Sequence, residues 1–295
     1  MSEGDSRTDL VTLARLAETD PAALEAHVDE LADHLDADSH EQRRQAAGAV
    51  AALASARPEA VVDLVDDLVD LLADEGCQDL AAATLADVAA TDAGAIMDHR
   101  AALVAALDGE GAVQEPAAAA LAALADAEPE QLAQPGVLER LTVLLSNDRP
   151  VVREHAAAAL ASIAAVDPDA VCDRAGALGD RLGDDTPAVR RQAALALGTA
   201  GPACPDEVLP AVPALADLVS DPDPGVRAAA AFALGEAFAG QEGIQGTVDA
   251  LLGALDDEAN AVRQQATYAL AVVAADDPDA VRGGVEALAR RIVDG

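Results

Sequence analysis

No lysine occurs anywhere in this chain of 295 residues, and its 18 basic side chains, all arginine, face 54 acidic ones. A net charge of −36 with no basic stripe leaves nothing to neutralise a phosphate backbone, so nucleic acid is excluded as the expected partner. Tryptophan is also absent, and aromatic residues make up 1% of the chain although 52% of it is hydrophobic. The apolar mass is therefore Ala, Leu and Val. Alanine is the strongest helix former, and small side chains let helices approach closely. No apolar run reaches the ~18 residues of a membrane span, so no membrane partner is expected. The polar, acidic start, Met1 to Thr8, lacks the charged and apolar regions of a secretory signal. Three cysteines, Cys77, Cys172 and Cys204, are odd in number, far apart and without metal-ligand or disulfide-framework spacing. A reducing interior is the natural reading, and the expectation is a soluble cytoplasmic protein. No phosphate loop, dinucleotide-type glycine motif or Ser-His-Asp arrangement is present.

What the chain does have is one phrase repeated seven times, Val-Arg-x-x-Ala-Ala-x-Ala-Leu. The cleanest copies run Val152–Leu160, Val189–Leu197, Val226–Leu234 and Val262–Leu270. A degraded copy runs Gln42–Val50, and two more, Cys77–Leu85 and Val113–Leu121, keep the alanines and the last leucine. The Arg-position residues are 43, 78, 114, 153, 190, 227 and 263, giving steps of 35, 36, 39, 37, 37 and 36 residues. A fixed period of this length marks a stack of supersecondary units rather than a domain with one central core.

Each unit reads as two helices. In the seventh, Ile244, Val248, Leu251, Leu252 and Leu255 form a helical apolar stripe. Asp256, Asp257 and Glu258 break it, and Ala261–Ala274 is the second helix. Proline recurs where units open, at Pro21, Pro58, Pro129, Pro168, Pro205 and Pro278, and there it suits a first helical turn. First helices are predicted near 22–35, 59–73, 97–107, 132–145, 169–182, 207–219 and 243–255. Second helices are predicted near 40–54, 76–90, 112–126, 150–165, 187–200, 224–239 and 259–274. The repeats span 21–57, 58–94, 95–128, 129–167, 168–204, 205–241 and 242–277. Cap helices are predicted at 8–18 and 279–293, with a disordered stretch at 1–7, in a single solenoid over 8–293.

This pattern resembles the HEAT repeat family, in particular its short prokaryotic type. The resemblance rests on an Asp six residues before the Arg (Asp108, Asp184, Asp221 and Asp257, with Asn147 in the fourth repeat), then Val-Arg, the alanine pair and the closing Leu. Gln78 and Gln114 depart from it. The resemblance implies an all-α fold, a right-handed α-α superhelix of about seven helix pairs. It also implies that Asp and Arg tie adjacent repeats in a ladder, so Arg153, Arg190, Arg227 and Arg263 are read as architecture. The acid is spread evenly, 36 Asp against 18 Glu, and this composition resembles that of extremely halophilic archaea. In molar salt the screening length is about 3 Å, so such charge concerns solvent more than partners.

Some HEAT-like proteins are enzymes. Deoxyhypusine hydroxylases bind two irons through repeated His-Glu pairs; this chain has His40-Glu41 and a reversed Glu154-His155 among five histidines. No metal or cofactor is expected. His27, His34 and His40 could share a face, which reads as solvated surface. HEAT-like DNA glycosylases need a basic groove, which is missing here. Bilin lyases have similar repeats, but no residue points to a pigment.

Counting from the Arg position at about 100° per residue, the +1, +2, +5 and +9 positions lie opposite the core side. In HEAT arrays this face lines the concave surface. The +5 row reads Gly48, Ala83, Ala119, Ala158, Leu195, Phe232, Tyr268: small in four repeats, large in three. Gly198, Gly235 and Ala271 beside it are small enough to leave hollows, and Arg191, Gln192, Gln264 and Gln265 flank it. Leu195, Phe232, Tyr268, Arg191, Gln192, Gln264 and Gln265 are thus the candidate protein-binding residues. The same strip also reads as a packed concave wall. A second, weaker polar cluster is Arg44, Gln45, Glu154 and His155. The expected function is a non-catalytic scaffold or adaptor for a protein or peptide partner. The alternative is a HEAT-like enzyme or an enzyme's regulatory subunit, of the lyase type. The chain is expected to be a monomer, with self-association through the apolar strip left open.

Overall fold

The computed structural model describes residues 9–109, 111–237, 245–279 and 281–282, leaving aside the side chains of residues 245 and 276. The stretch 1–7 and nearly all of the cap helix at 279–293 lie outside the described residues. The fold is all-α and of the solenoid class, with no strand among the described residues. The chain groups into two compact units, Met1–Glu128 and Pro129–Gly295, each described by itself below.

The first unit holds the cap helix Leu10–Thr19 and three helix pairs. Asp9 caps that helix by accepting from the Thr12 amide at 2.8 Å. Leu13 is fully buried, on the side that packs against His40–Ala56. The second helices are His40–Ala56, Gln78–Thr91 and Gln114–Ala127, and each packs beside the next. The second unit holds four pairs, whose second helices are Pro150–Val166, Pro187–Ala200, Pro224–Ala237 and Asn260–Asp276. These too form one row of neighbours.

Most first helices are not the single helices predicted. That of the first repeat is a 3-10 segment, Pro21–His27, followed by an α-helix, Val28–Leu35. The second repeat does the same with Pro58–Leu64 and Val65–Leu71. The residue at the joint leaves helical values, His27 at φ −124°, ψ 18° and Leu64 at φ −96°, ψ 5°. The tighter segment stacks residues three apart, as with the buried pair Val61 and Leu64. Hydrophobic spacing alone does not separate the two helix types over seven residues.

Two sets of residues recur through the core. Leu31, Leu68, Leu103, Leu141, Leu178, Leu215 and Leu251, one per first helix, are all fully buried. So are the alanine pairs Ala46-Ala47, Ala81-Ala82, Ala117-Ala118, Ala156-Ala157 and Ala193-Ala194 of the second helices. Each buried Leu contributes roughly 1.5–3 kcal/mol through desolvation. Burying alanine rather than larger residues keeps neighbouring helices close.

Polar groups fix the register between repeats. Arg153 donates from Nε to Asp184 Oδ2 at 2.7 Å and from Nη2 to Oδ1 at 2.9 Å. Its Nη1 bonds the Asn147 and Asp148 carbonyls in its own repeat's inter-helix turn, at 2.9 and 3.3 Å. Asp184 in turn accepts from the Thr186 amide at the start of its own second helix. The joint recurs as Arg190–Asp221 and Arg227–Asp257, with Asp223 and Ala259 amides completing the carboxylates. In the first unit Arg43 pairs with Asp74, Nε to Oδ2 at 2.9 Å, and bonds the Ala37 and Asp38 carbonyls. Asp74 lies four residues before Gln78 instead of six, because this second helix starts at the Arg position itself, where Pro150–Val166 starts three residues before it, so the motif spacing missed it.

The reduced state expected from cysteine spacing is corrected by the structure: Cys172 and Cys204 are joined in a disulfide, with Cα atoms 5.8 Å apart. Stacking brings the openings of consecutive repeats side by side, so residues 32 apart meet. Cys77 is free and buried. No helix among the described residues is long and apolar enough to cross a membrane.

Burial would raise the Asp184 carboxyl, but hydrogen bonds from Arg153 and the Thr186 amide overcome this and lower it from 3.8 to about 2. Its contribution to stability is therefore full above the ordinary value and is lost as pH falls through the folded one. We expect the stability gap between the native chain and Asp184→Asn, measured by urea unfolding, to be flat above about pH 5 and to shrink toward about pH 2. A gap unchanged down to that pH would show that the carboxylate is not held by its ion pair. Arg153→Met strips the buried Asp184 of its bidentate partner, leaving Arg181 at 3.7 Å and the Thr186 amide, and should cost about 3 kcal/mol. Arg57→Met removes a half-exposed pair with Glu25 and should cost less than about 1 kcal/mol. Equal losses would contradict the ladder.

Candidate protein-binding face

All seven candidate residues lie on the second helices of the fifth to seventh repeats, inside the second unit. Ala193, Ala194, Ala196 and Leu197 face the core, which turns Arg191 outward and leaves Gln192 and Leu195 half-buried. One repeat on, Phe232 is half-buried between Ala231 and Ala233, both fully buried. In the last repeat Gln264 is exposed, Gln265 half-buried, and Tyr268 is 47% exposed.

Phe232 and Tyr268 stack, with ring centroids 6.3 Å apart and planes at 21°. That separation lies within the range of favourable aromatic pairs. The Tyr268 hydroxyl donates to Glu236 Oε1 at 2.6 Å, one turn beyond Phe232. This bond, together with the charge of the carboxylate, pushes the phenol up from its usual value. The exposed ring is therefore held at both ends. Glu236 was missed in the sequence because it sits at +9, where one acid among many carries no signal.

The hollows expected at Gly198 and Gly235 are corrected. A Cβ on Gly198 would sit 2.7 Å from Ala233 Cα and 3.0 Å from Phe232 Cδ1. A Cβ on Gly235 would sit 2.7 Å from Ala269 Cα. Both glycines are buried where the helices touch, and they permit that approach instead of leaving space. Phe232 thus lies over the preceding helix, and Tyr268 rests on Phe232 and Glu236 of the helix before its own. Ala271 is exposed.

The weaker polar cluster divides between the units. In the first, Arg44 bonds the Gly76 carbonyl and lies 3.6 Å from Asp79, and Gln45 bonds Glu41 at 2.7 Å. Glu154 and His155 are in the second unit, both half-buried. His27 pairs with Glu30 on its own turn at 3.1 Å, and His40 faces Asp74, so these histidines do not form one solvated row.

The family model for HEAT repeats matches residues 175–271 and 212–289, and that for the HEAT-like repeat matches 111–163. No curated protein matches the chain. Among solved structures, a crystal structure described as an engineered protein is similar with a TM-score of 0.82 and 28% identity, covering 97% of this chain and 81% of that one. A second engineered protein has a TM-score of 0.64 and 30% identity over 72% of this chain and 99% of its own. A third is described as a computationally designed armadillo repeat protein for modular peptide recognition. It has a TM-score of 0.63 and 26% identity over 71% of this chain and 99% of that one.

The close helix contacts yield an expected outcome. Gly235→Ala places a methyl group against backbone, which cannot yield as a flexible side chain does, and should cost about 1–3 kcal/mol. Thermal unfolding of the variant checks this; an unchanged or raised midpoint would restore the hollow.

Proposed function

The chain belongs to the HEAT repeat family, and we propose that it is a non-catalytic adaptor that holds a protein or peptide segment against the second helices of its last three repeats. Tyr268 carries the reading. It is a large apolar ring, almost half exposed, fixed by stacking on Phe232 and by its bond to Glu236. A pre-positioned aromatic loses little freedom when a partner covers it, which favours binding. Leu195 and Phe232 extend the apolar row, and Arg191, Gln192, Gln264 and Gln265 supply the polar rim. The similar armadillo repeat protein was designed for peptide recognition, which supports an extended segment as the occupant. On this reading the face is the concave one, the whole chain acts as a single solenoid monomer, and it works in a salt-rich cytoplasm where short-range contacts outweigh charge steering.

Peptide-library selection on the full chain in molar KCl tests the assignment. Selected binders should lose at least about tenfold in affinity to Tyr268→Ala, a loss of ~1.4 kcal/mol. The same variant should move stability by no more than about 1 kcal/mol, since half the ring is already in water. Phe232→Ala, which also removes packing over Gly198, should lower both affinity and melting temperature. Binders indifferent to Tyr268, or a Tyr268→Ala chain that melts far earlier, would sink the proposal and make the strip a packed wall.

A further inference from the structure

Away from the aromatic strip, three different ligand types converge in the first unit. His40 is the first residue of its helix, Asp74 lies in the next inter-helix turn, and Cys77 immediately precedes Gln78–Thr91. The stacking of the first two repeats puts one imidazole nitrogen, one carboxylate oxygen and one sulfur within 4.8 Å of one another. His40 Nδ1 is 3.5 Å from Asp74 Oδ1. Zinc bonds of ~2.0–2.3 Å place tetrahedral ligand atoms roughly 3.3–3.8 Å apart, so a small contraction closes the set.

We propose that His40, Asp74 and Cys77 form a binding site for a borderline divalent transition-metal cation of the zinc class. Three further features fit. Arg43 holds Asp74 through Oδ2, and Oδ1, which also accepts from the Gly76 amide at 3.1 Å, is turned toward His40 with a lone pair to spare. This is the second-layer support that orients metal ligands. Gly76 lacks a side chain where the His40 ring lies; a Cβ there would collide with the imidazole. An acidic cleft of about 550 Å³, lined by Asp36, Asp38, Asp67 and Asp70, opens beside Asp74. Its carboxylates give the cleft a negative charge that would favour an approaching cation.

A thiolate and an imidazole select zinc, cobalt, nickel or copper over magnesium and calcium. Cys77 is fully buried, whereas the His40 side chain is 55% exposed. The sulfur is therefore shielded, and water takes the fourth position on the open side. Binding replaces the Cys77 thiol proton with the cation: an S–metal bond forms, an S–H bond breaks, and the proton passes to solvent. No oxidant or reductant is needed. Affinity should rise with pH, since ligand and proton compete.

The probe is Co²⁺, added to the full chain with Cys172–Cys204 left oxidised, in molar KCl to weaken binding at other carboxylates. The expected result is a sulfur-to-cobalt charge-transfer band in the near ultraviolet that saturates at one ion per chain and is bleached by Zn²⁺. Cys77→Ser should abolish the band. His40→Gln, at an exposed position, should weaken binding at least about tenfold. Gly76→Ala should do the same by displacing the ring, with all three ligands intact. Should Cys77→Ser fail to fold, the latter two variants still decide the matter. Absence of the band, or Co²⁺ binding equally to all variants, would reduce the cluster to ordinary carboxylate binding and overturn the proposal.

Discussion

The order of these repeats depends above all on one joint, the arginine that links four of them to the repeat that follows. Its guanidinium has five donors in a fixed plane, and the fold uses most of them. One nitrogen closes the turn of its own repeat by bonding two carbonyls, and the others grip the aspartate of the following turn. That aspartate accepts an amide at the start of its own second helix. A single buried ion pair thus fixes turn, helix start and repeat register together. An apolar core of alanines could slide; directional bonds to a buried charge cannot slip without leaving that charge unpaired.

The joint also explains why the surface can carry a site. Once the register is set, alanine and glycine bring the second helices into contact, as at Gly198 and Gly235. Side chains at +5 then have no room below and must lie over the neighbour or stand outward. In most repeats the residue is too small for this to matter. In the last three it is Leu195, Phe232 and Tyr268, and the result is a graded row from half-buried to exposed. The same register aligns His40 with Asp74 and Cys77 in the first two repeats, where the arginine of the joint also steadies a metal-ligand candidate.

Much of this was legible in the sequence. The period of Arg43, Gln78, Gln114, Arg153, Arg190, Arg227 and Arg263 placed every second helix, because alanine-rich helices are set locally. The Arg–Asp pairing followed from the resemblance. What was not legible depended on contacts between repeats. Asp74 was hidden by a second helix that starts about one turn later than most of the others, and Glu236 by the abundance of acid. Cys172 and Cys204 have no spacing that signals a disulfide, yet stacking makes their segments neighbours. The glycines were read as space because a sequence shows missing side chains but not what fills their place. The bent first helices are not legible because a 3-10 segment of seven residues, as at Pro21–His27, shares its apolar spacing with an α-helix.

Two repeats lack the charged joint naturally, since Gln78 and Gln114 stand where arginine stands elsewhere. They make the account open to a direct measurement on the unmodified chain: native-state hydrogen exchange resolved to each second helix. If buried ion pairs set repeat stability, amides in Pro150–Val166, Pro187–Ala200 and Pro224–Ala237 exchange slowest, and those in Gln78–Thr91 and Gln114–Ala127 open more readily. Equal or greater protection in the two glutamine repeats would contradict the central role given to the joint and leave alanine packing as the dominant constraint.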